Sequence, residues 1–109
     1  MFQAQEIAMQ LIAVVRPIVE TVRRRDKNLA NQLRSSVTSV AANTAEGGRR
    51  VGGDRLHAFC IASAEAAEVL SHVRVAVAWG YAPESALADV RPLEDRLQAI
   101  LYRLRYPRR

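Results

Sequence analysis

The chain has 109 residues, half of them apolar and a quarter charged, with a net charge of +5 and a pI near 10.3. That balance fits one soluble globular domain, residues 1–109, with a core that is adequate rather than generous. An internal disulfide is excluded because Cys60 is the only cysteine, and the longest apolar tract, Ala58 to Trp79, contains Glu65, Glu68, His72 and Arg74, so no membrane span is expected.

The first helical pattern covers about residues 3–24, where Ile7, Leu11, Val14, Ile18 and Val22 recur at three- and four-residue spacing. Glu6 and Gln10 interrupt its apolar residues, so no signal peptide is expected, and a reducing cytoplasm is the simplest compartment. Pro17 lies inside this pattern and predicts a kink. Asp26 is placed to cap a second helix, about residues 27–46, with the stripe Leu29, Leu33, Val37, Val40 and Thr44. Gly47 follows it and is expected to end it in the left-handed conformation. A glycine-framed loop, GGRRVGG, then leads to Asp54, the expected cap of a third helix over about 55–79.

This third helix is apolar nearly all round. One face carries Leu56, Phe59, Ala66, Leu70, Val73 and Val77, a second Ala58, Ala62, Val69 and Ala76, and a third Ile61, Val75 and Trp79. A helix of this kind is buried on more than one side. One bundle has only one interior, so the surplus predicts a homo-oligomer. Gly80 to Pro83 reads as a turn, with Pro83 suited to the first position of a fourth helix over about 84–104. Its stripe is Leu87, Val90, Leu93, Leu97, Ile100, Leu101 and Leu104, and Pro92 predicts either a kink near Arg91 or a split. With no strand alternation and only short breaks, the fold class is all-α, an up-down-up-down antiparallel four-helix bundle.

Bundle topology converts sequence position into spatial position. Arg49, Arg50, Arg55, Arg103, Arg105, Arg108 and Arg109 are expected at one pole, and Arg23, Arg24, Arg25 and Lys27 at the other. Fifteen of the sixteen basic residues are arginine, whose planar fork suits phosphate. The first group forms the candidate nucleic-acid-binding surface for RNA or DNA. Two plainer causes compete with it. Arginine-rich codon usage gives the same composition, and helix C-termini attract cations through the macrodipole. The second explains Arg49 and Arg50, set in a glycine-framed loop, less well than the others. Glu46, a carboxylate in a last helical turn, opposes that dipole and needs a cation, so at least one of Arg49, Arg50 and Arg55 is expected to pair with it. Asn43 and Glu46 are expected to fasten the loop to the bundle.

The stretch SVTSVAANTAEGGRR, Ser36 to Arg50, resembles the R-A-A-x-S-I-x-x-N-I-A-E-G-x-x-R signature of the bacterial 23S rRNA intervening-sequence proteins. Arg34, Asn43 and Ala45-Glu46-Gly47 match, Ser39-Val40 stands for Ser-Ile, and Thr44 replaces Ile. Downstream, FCIASAEAAEVL is similar to the family's L-x-I-A-x-G-S-L-x-E-L, with Ala64-Glu65 in place of Gly-Ser. The resemblance implies a four-helix bundle assembled as a ring-like homopentamer, with no established catalytic site. It also implies an analogy with the accessory protein of diversity-generating retroelements, a basic bundle that binds a reverse transcriptase and nucleic acid. A protein-interaction scaffold or accessory subunit without direct nucleic-acid binding is therefore the alternative reading.

No catalytic residue, metal or cofactor is expected. The glycine-rich loop lacks the Gly-Lys-Ser/Thr of a phosphate-binding loop, and His57 and Cys60 alone do not make a zinc site. Ser35, Ser36 and Ser39 have no nearby histidine to activate them, Glu65 and Glu68 fit a solvated strip, and Trp79 and Tyr81 are expected to close the bundle's far end rather than to stack a base.

Overall fold

A computed structural model describes residues 2–107. Four helices follow in order: α1 Gln3–Arg23, α2 Lys27–Arg49, α3 Gly52–Ala78 and α4 Ser85–Arg105. Each packs on its neighbours in sequence, and α1 also packs on α4, so the four close into an antiparallel bundle of 46 × 21 × 21 Å. The end of α2, the start of α3, the end of α4 and the start of α1 therefore share one pole.

The core follows heptad spacing. Ala4, Ala8, Leu11, Val15, Ile18 and Val22 line it from α1, and Ala30, Leu33, Val37, Val40, Thr44 and Gly47 from α2. From α3 come Phe59, Ala62, Ala66, Val69, Val73 and Ala76. Alternating three- and four-residue steps keep each stripe on the bundle axis, as in coiled-coil packing. The alanines of α3 thus admit their neighbours inside the bundle. On the outside α3 leaves Leu56, Val75 and Trp79 exposed, at 43%, 42% and 68%.

Asp26 caps α2 as expected, its Oδ1 accepting from the Leu29 N–H at 2.9 Å. The glycine-framed loop departs from expectation. Gly47 does not end α2: it is buried inside the helix, which runs on to Arg49. Only Arg50 and Val51 separate α2 from α3, both extended. The left-handed residue is Gly52, at φ 59°, where a Cβ would be strained. Val51 occupies the cap position of α3 with no side-chain hydrogen bond, and Asp54 sits in the first turn, where its charge suits the positive end of the macrodipole.

The prolines interrupt neither helix, so the split at Pro92 does not occur. Pro17 and Pro92 are exposed, as are Ala13 and Ala88, four residues earlier, whose carbonyls lose a partner to the missing N–H and can turn to water. Pro83 lies two residues ahead of α4 rather than at its first position. At the other pole Gly80, at φ 78°, closes α3 with paired bonds from the Gly80 N–H to Val77 O and the Tyr81 N–H to Ala76 O. Tyr81 packs against the core there and Trp79 stacks on it at 6.2 Å, but the exposure of Trp79 shows that it does not close the bundle.

One core position in α4 is a carboxylate. Glu94 falls between Val90 and Leu97 in the buried stripe and is 6% exposed. Gln98 Nε2 donates to it at 2.8 Å and to the Ser63 carbonyl at 2.8 Å, while Ser63 Oγ donates to Gln98 Oε1 at 2.6 Å. Burial raises the Glu94 pKa, and the Gln98 bond only partly offsets this. The folded protein therefore binds this proton more tightly than the unfolded chain does. Below the ordinary carboxylate pKa the group imposes no charge penalty. The penalty develops as pH rises from there through the raised folded value. Glu94→Gln keeps an acceptor for Gln98 and removes the charge. Urea unfolding is expected to give similar midpoints for variant and wild type near pH 4, and a higher midpoint for the variant at pH 8.

Candidate nucleic-acid interface

The cationic pole is built around the carboxylate that opposes its helix. Glu46 lies one turn before the end of α2, where unpaired carbonyls already make the field negative. Arg49 Nη2 donates to its Oε1 at 2.8 Å and Arg50 Nε to its Oε2 at 2.9 Å. These bonds, that from Arg50 first, hold the Glu46 pKa below its ordinary value. The pairing expected of one arginine is made by two. Both remain solvated, with side chains 73% and 57% exposed, so neither pair is a large source of stability.

Arg55 has a different task. From the first turn of α3 its Nη1 donates to the Gly47 carbonyl at 3.0 Å, satisfying one of the last carbonyls of α2. Its guanidinium also lies 4.9 Å from the centre of the Phe59 ring. Phe2 meets that ring edge-on at 6.4 Å, which brings the start of α1 to the same point. A Cβ at position 47 would run into the Phe59 ring edge. The family-like glycine is thus a place of close approach between α2 and α3, not a helix terminator. Asn43 does not fasten the loop either: its Nδ2 donates back along α2 to the Ser39 carbonyl at 2.9 Å and to Ser39 Oγ at 3.1 Å.

Of the arginines expected from α4, Arg103 is exposed and Arg105 is half-buried, its Nε donating to the Leu101 carbonyl at 3.3 Å. Arg108 and Arg109 lie outside the described residues. The pole therefore gathers five described arginines against the carboxylates Glu6, Glu46 and Asp54. Two exposed tyrosines of the same pole, Tyr102 and Tyr106, escaped the sequence reading, although their four-residue spacing among arginines was the signal available.

The polar groove between α2 and α3 is lined by Asn31, Ser35, Ser36, Glu65, Glu68 and His72. There the neighbouring Glu68 carboxyl and partial burial raise the Glu65 pKa; Glu65 is half-buried and Glu68 exposed. His57 and Cys60 are both exposed. Among the described residues no group of three or more His, Cys, Asp or Glu is placed to hold a metal, and no helix is long and apolar enough to cross a membrane.

The family model described as 23S rRNA-intervening sequence protein matches residues 2–103. No curated protein matches the chain. A crystal structure of a protein of unknown function from the S23 ribosomal protein family of Bacteroides thetaiotaomicron VPI-5482 superimposes with a TM-score of 0.85 at 15% identity, covering 95% of this chain and 99% of that one. At that identity the likeness concerns the fold.

The Phe59 ring is fully buried, with Arg55 and Phe2 packed against it, so a Cβ at 47 must displace a ring held by neighbours. Gly47→Ala is accordingly expected to lower stability by about 1–3 kcal/mol, the usual cost of overpacking, despite the better helix propensity of alanine. Gly53→Ala, whose Cβ would meet nothing within 4 Å, serves as control and is expected to gain about 0.4–1 kcal/mol. Chemical denaturation of both variants reads the difference.

Proposed function

The chain belongs to the family of 23S rRNA-intervening sequence proteins, and we propose that it is a non-catalytic homo-oligomer that binds nucleic acid, RNA or DNA, through its arginine-rich pole. The observation that carries this reading is the gathering of Arg49, Arg50, Arg55, Arg103 and Arg105 by the antiparallel topology at one end of the bundle. Arg49 and Arg50 spend part of their charge on Glu46, but their guanidinium groups face water and stay open to a second partner. Planar arginine forks held in this way meet phosphate oxygens at little further cost in side-chain freedom.

Self-association is supported by the surplus apolar surface of α3, where Val75 and Trp79 stand exposed one turn apart. The family resemblance makes a pentameric ring the expected assembly. In a cyclic ring whose axis runs along the bundles every copy of the cationic pole faces the same side, and several weak contacts act together.

A second reading, a scaffold or accessory subunit for a protein such as a reverse transcriptase, draws on Val51. This residue is 82% exposed at the tip of the α2–α3 connection, an apolar side chain among the cations. Retention of one protein partner after nuclease treatment in an affinity pull-down supports the scaffold reading.

The nucleic-acid reading is tested by salt titration. Five phosphate contacts per chain are expected to give a log–log slope of about −3.5 to −4.5. Arg49→Ser/Arg103→Ser is expected to shallow the slope by about 1.4–1.8 and to leave the unfolding midpoint nearly unchanged. Undetectable binding at 50 mM salt would overturn the proposal.

A further inference from the structure

We infer that the arginine-rich pole takes single-stranded rather than duplex nucleic acid, with an unpaired base stacked on the exposed pair Tyr102 and Tyr106. The inference rests on the nucleic-acid reading above and adds the class of ligand.

The two tyrosines lie one turn apart where α4 ends, and the Tyr106 N–H bonds the Tyr102 carbonyl at 2.9 Å, fixing their spacing through the backbone. Their ring centres are 5.0 Å apart and the planes are tilted by 53°. Rings at that angle do not cover one another. Tyr102 is 59% exposed and Tyr106 58%, so flat aromatic surface is left to solvent. An aromatic pair at four-residue spacing gives a helix end only modest support, too little to account for leaving two such rings in water.

One cation lies against this surface and a second is exposed on the same turn of α4. The Arg105 guanidinium sits 5.6 Å from the centre of the Tyr106 ring, held by its bond to the Leu101 carbonyl, and Arg103 is exposed between the tyrosines in sequence. Aromatic faces interleaved with arginine are what single strands require: the cations follow the phosphates, and each base offers a π-face to a ring. Duplex bases are already stacked and offer only their edges. The shape of the pole also disfavours a duplex. A bundle 21 Å across, with α2 and α3 joined by two residues, is blunt there, and too wide to enter a major groove about 12 Å wide.

The test is fluorescence anisotropy with the full-length protein and labelled 12-mers: single-stranded RNA, single-stranded DNA and the matching DNA duplex, at 50 mM salt. Both single strands are expected to bind more tightly than the duplex. Tyr102→Leu/Tyr106→Leu, whose helicity is checked by circular dichroism, is expected to lose about 5- to 100-fold in single-strand affinity. Its duplex affinity and its salt slope are expected to stay as in wild type. Tyr102→Phe/Tyr106→Phe keeps the rings and is expected to keep the affinity. Equal affinity for duplex and single strands, or an unweakened leucine variant, overturns the inference and leaves the electrostatic reading standing. A failure of every probe to bind overturns both.

Discussion

The contact between Gly47 and Phe59 governs how three of the four helices meet. Gly47 continues the buried stripe of α2 one step past Thr44, and the missing side chain is what lets the Phe59 ring lie against the α2 backbone. Because the ring lies there, α3 can begin after only two residues of connection. Arg55 then reaches the Gly47 carbonyl while stacking on the same ring, and Phe2 brings α1 to its edge. A larger residue at 47 would force the helices apart and withdraw the carbonyl that Arg55 caps. The position of Arg55, and the short connection that carries Arg49 and Arg50, thus depend on one apolar contact.

The electrostatics are arranged on top of that packing. A carboxylate in the last turn of a helix is unfavourable by itself, and Glu46 is tolerated because two guanidinium groups converge on it. The cluster keeps a net positive charge, and the carboxylate orders two long, otherwise mobile side chains. Ordering them before a ligand arrives lowers the entropy that binding must overcome. Glu46 therefore serves the cationic surface by positioning it, although it subtracts from its charge. Arg55 is committed differently, since its bond to Gly47 belongs to the helix junction and its removal disturbs packing as well as charge.

Much of this was legible in the sequence. The stripe Leu29, Leu33, Val37, Val40 and Thr44 is buried throughout, the Asp26 cap is present, and the four helices fall within a few residues of their expected bounds. The glycines misled because glycine is ordinarily read as punctuation. The buried heptad Leu33, Val37, Val40, Thr44 had its next place at 47, and a glycine there signals close approach as readily as a stop. Asp54 misled for a related reason, since acidic residues suit both a cap and a first turn. The split allowed at Pro92 took no account of face, and both prolines stand where the freed carbonyl can reach water. Glu94 was passed over because a carboxylate is not sought in a core stripe. The polar partners that make its burial tolerable, Gln98 and Ser63, include one from another helix, which periodicity within a helix does not reveal.

Exposed apolar groups stand at both poles of the bundle, and their placement limits how the proposed assembly and the proposed ligand could coexist. Val75 and Trp79 lie near the end of α3, at the pole away from the α2–α3 connection, whereas Tyr102 and Tyr106 lie at the end of α4, beside it. An interface confined to Val75 and Trp79 would leave the tyrosines open, whereas one that ran along α3 to the exposed Leu56 would approach them. A cyclic ring whose symmetry axis runs along the bundles would bring every arginine-rich pole out on the same face. A two-fold pair with its axis across the bundles would send the poles in opposite directions and give no such addition. The usefulness of one modestly charged pole thus depends on the direction of the symmetry axis as much as on the number of subunits. A strand tracking from pole to pole around a ring would meet repeated arginine clusters with aromatic faces between them, which is the alternation of phosphate and base that a single strand presents.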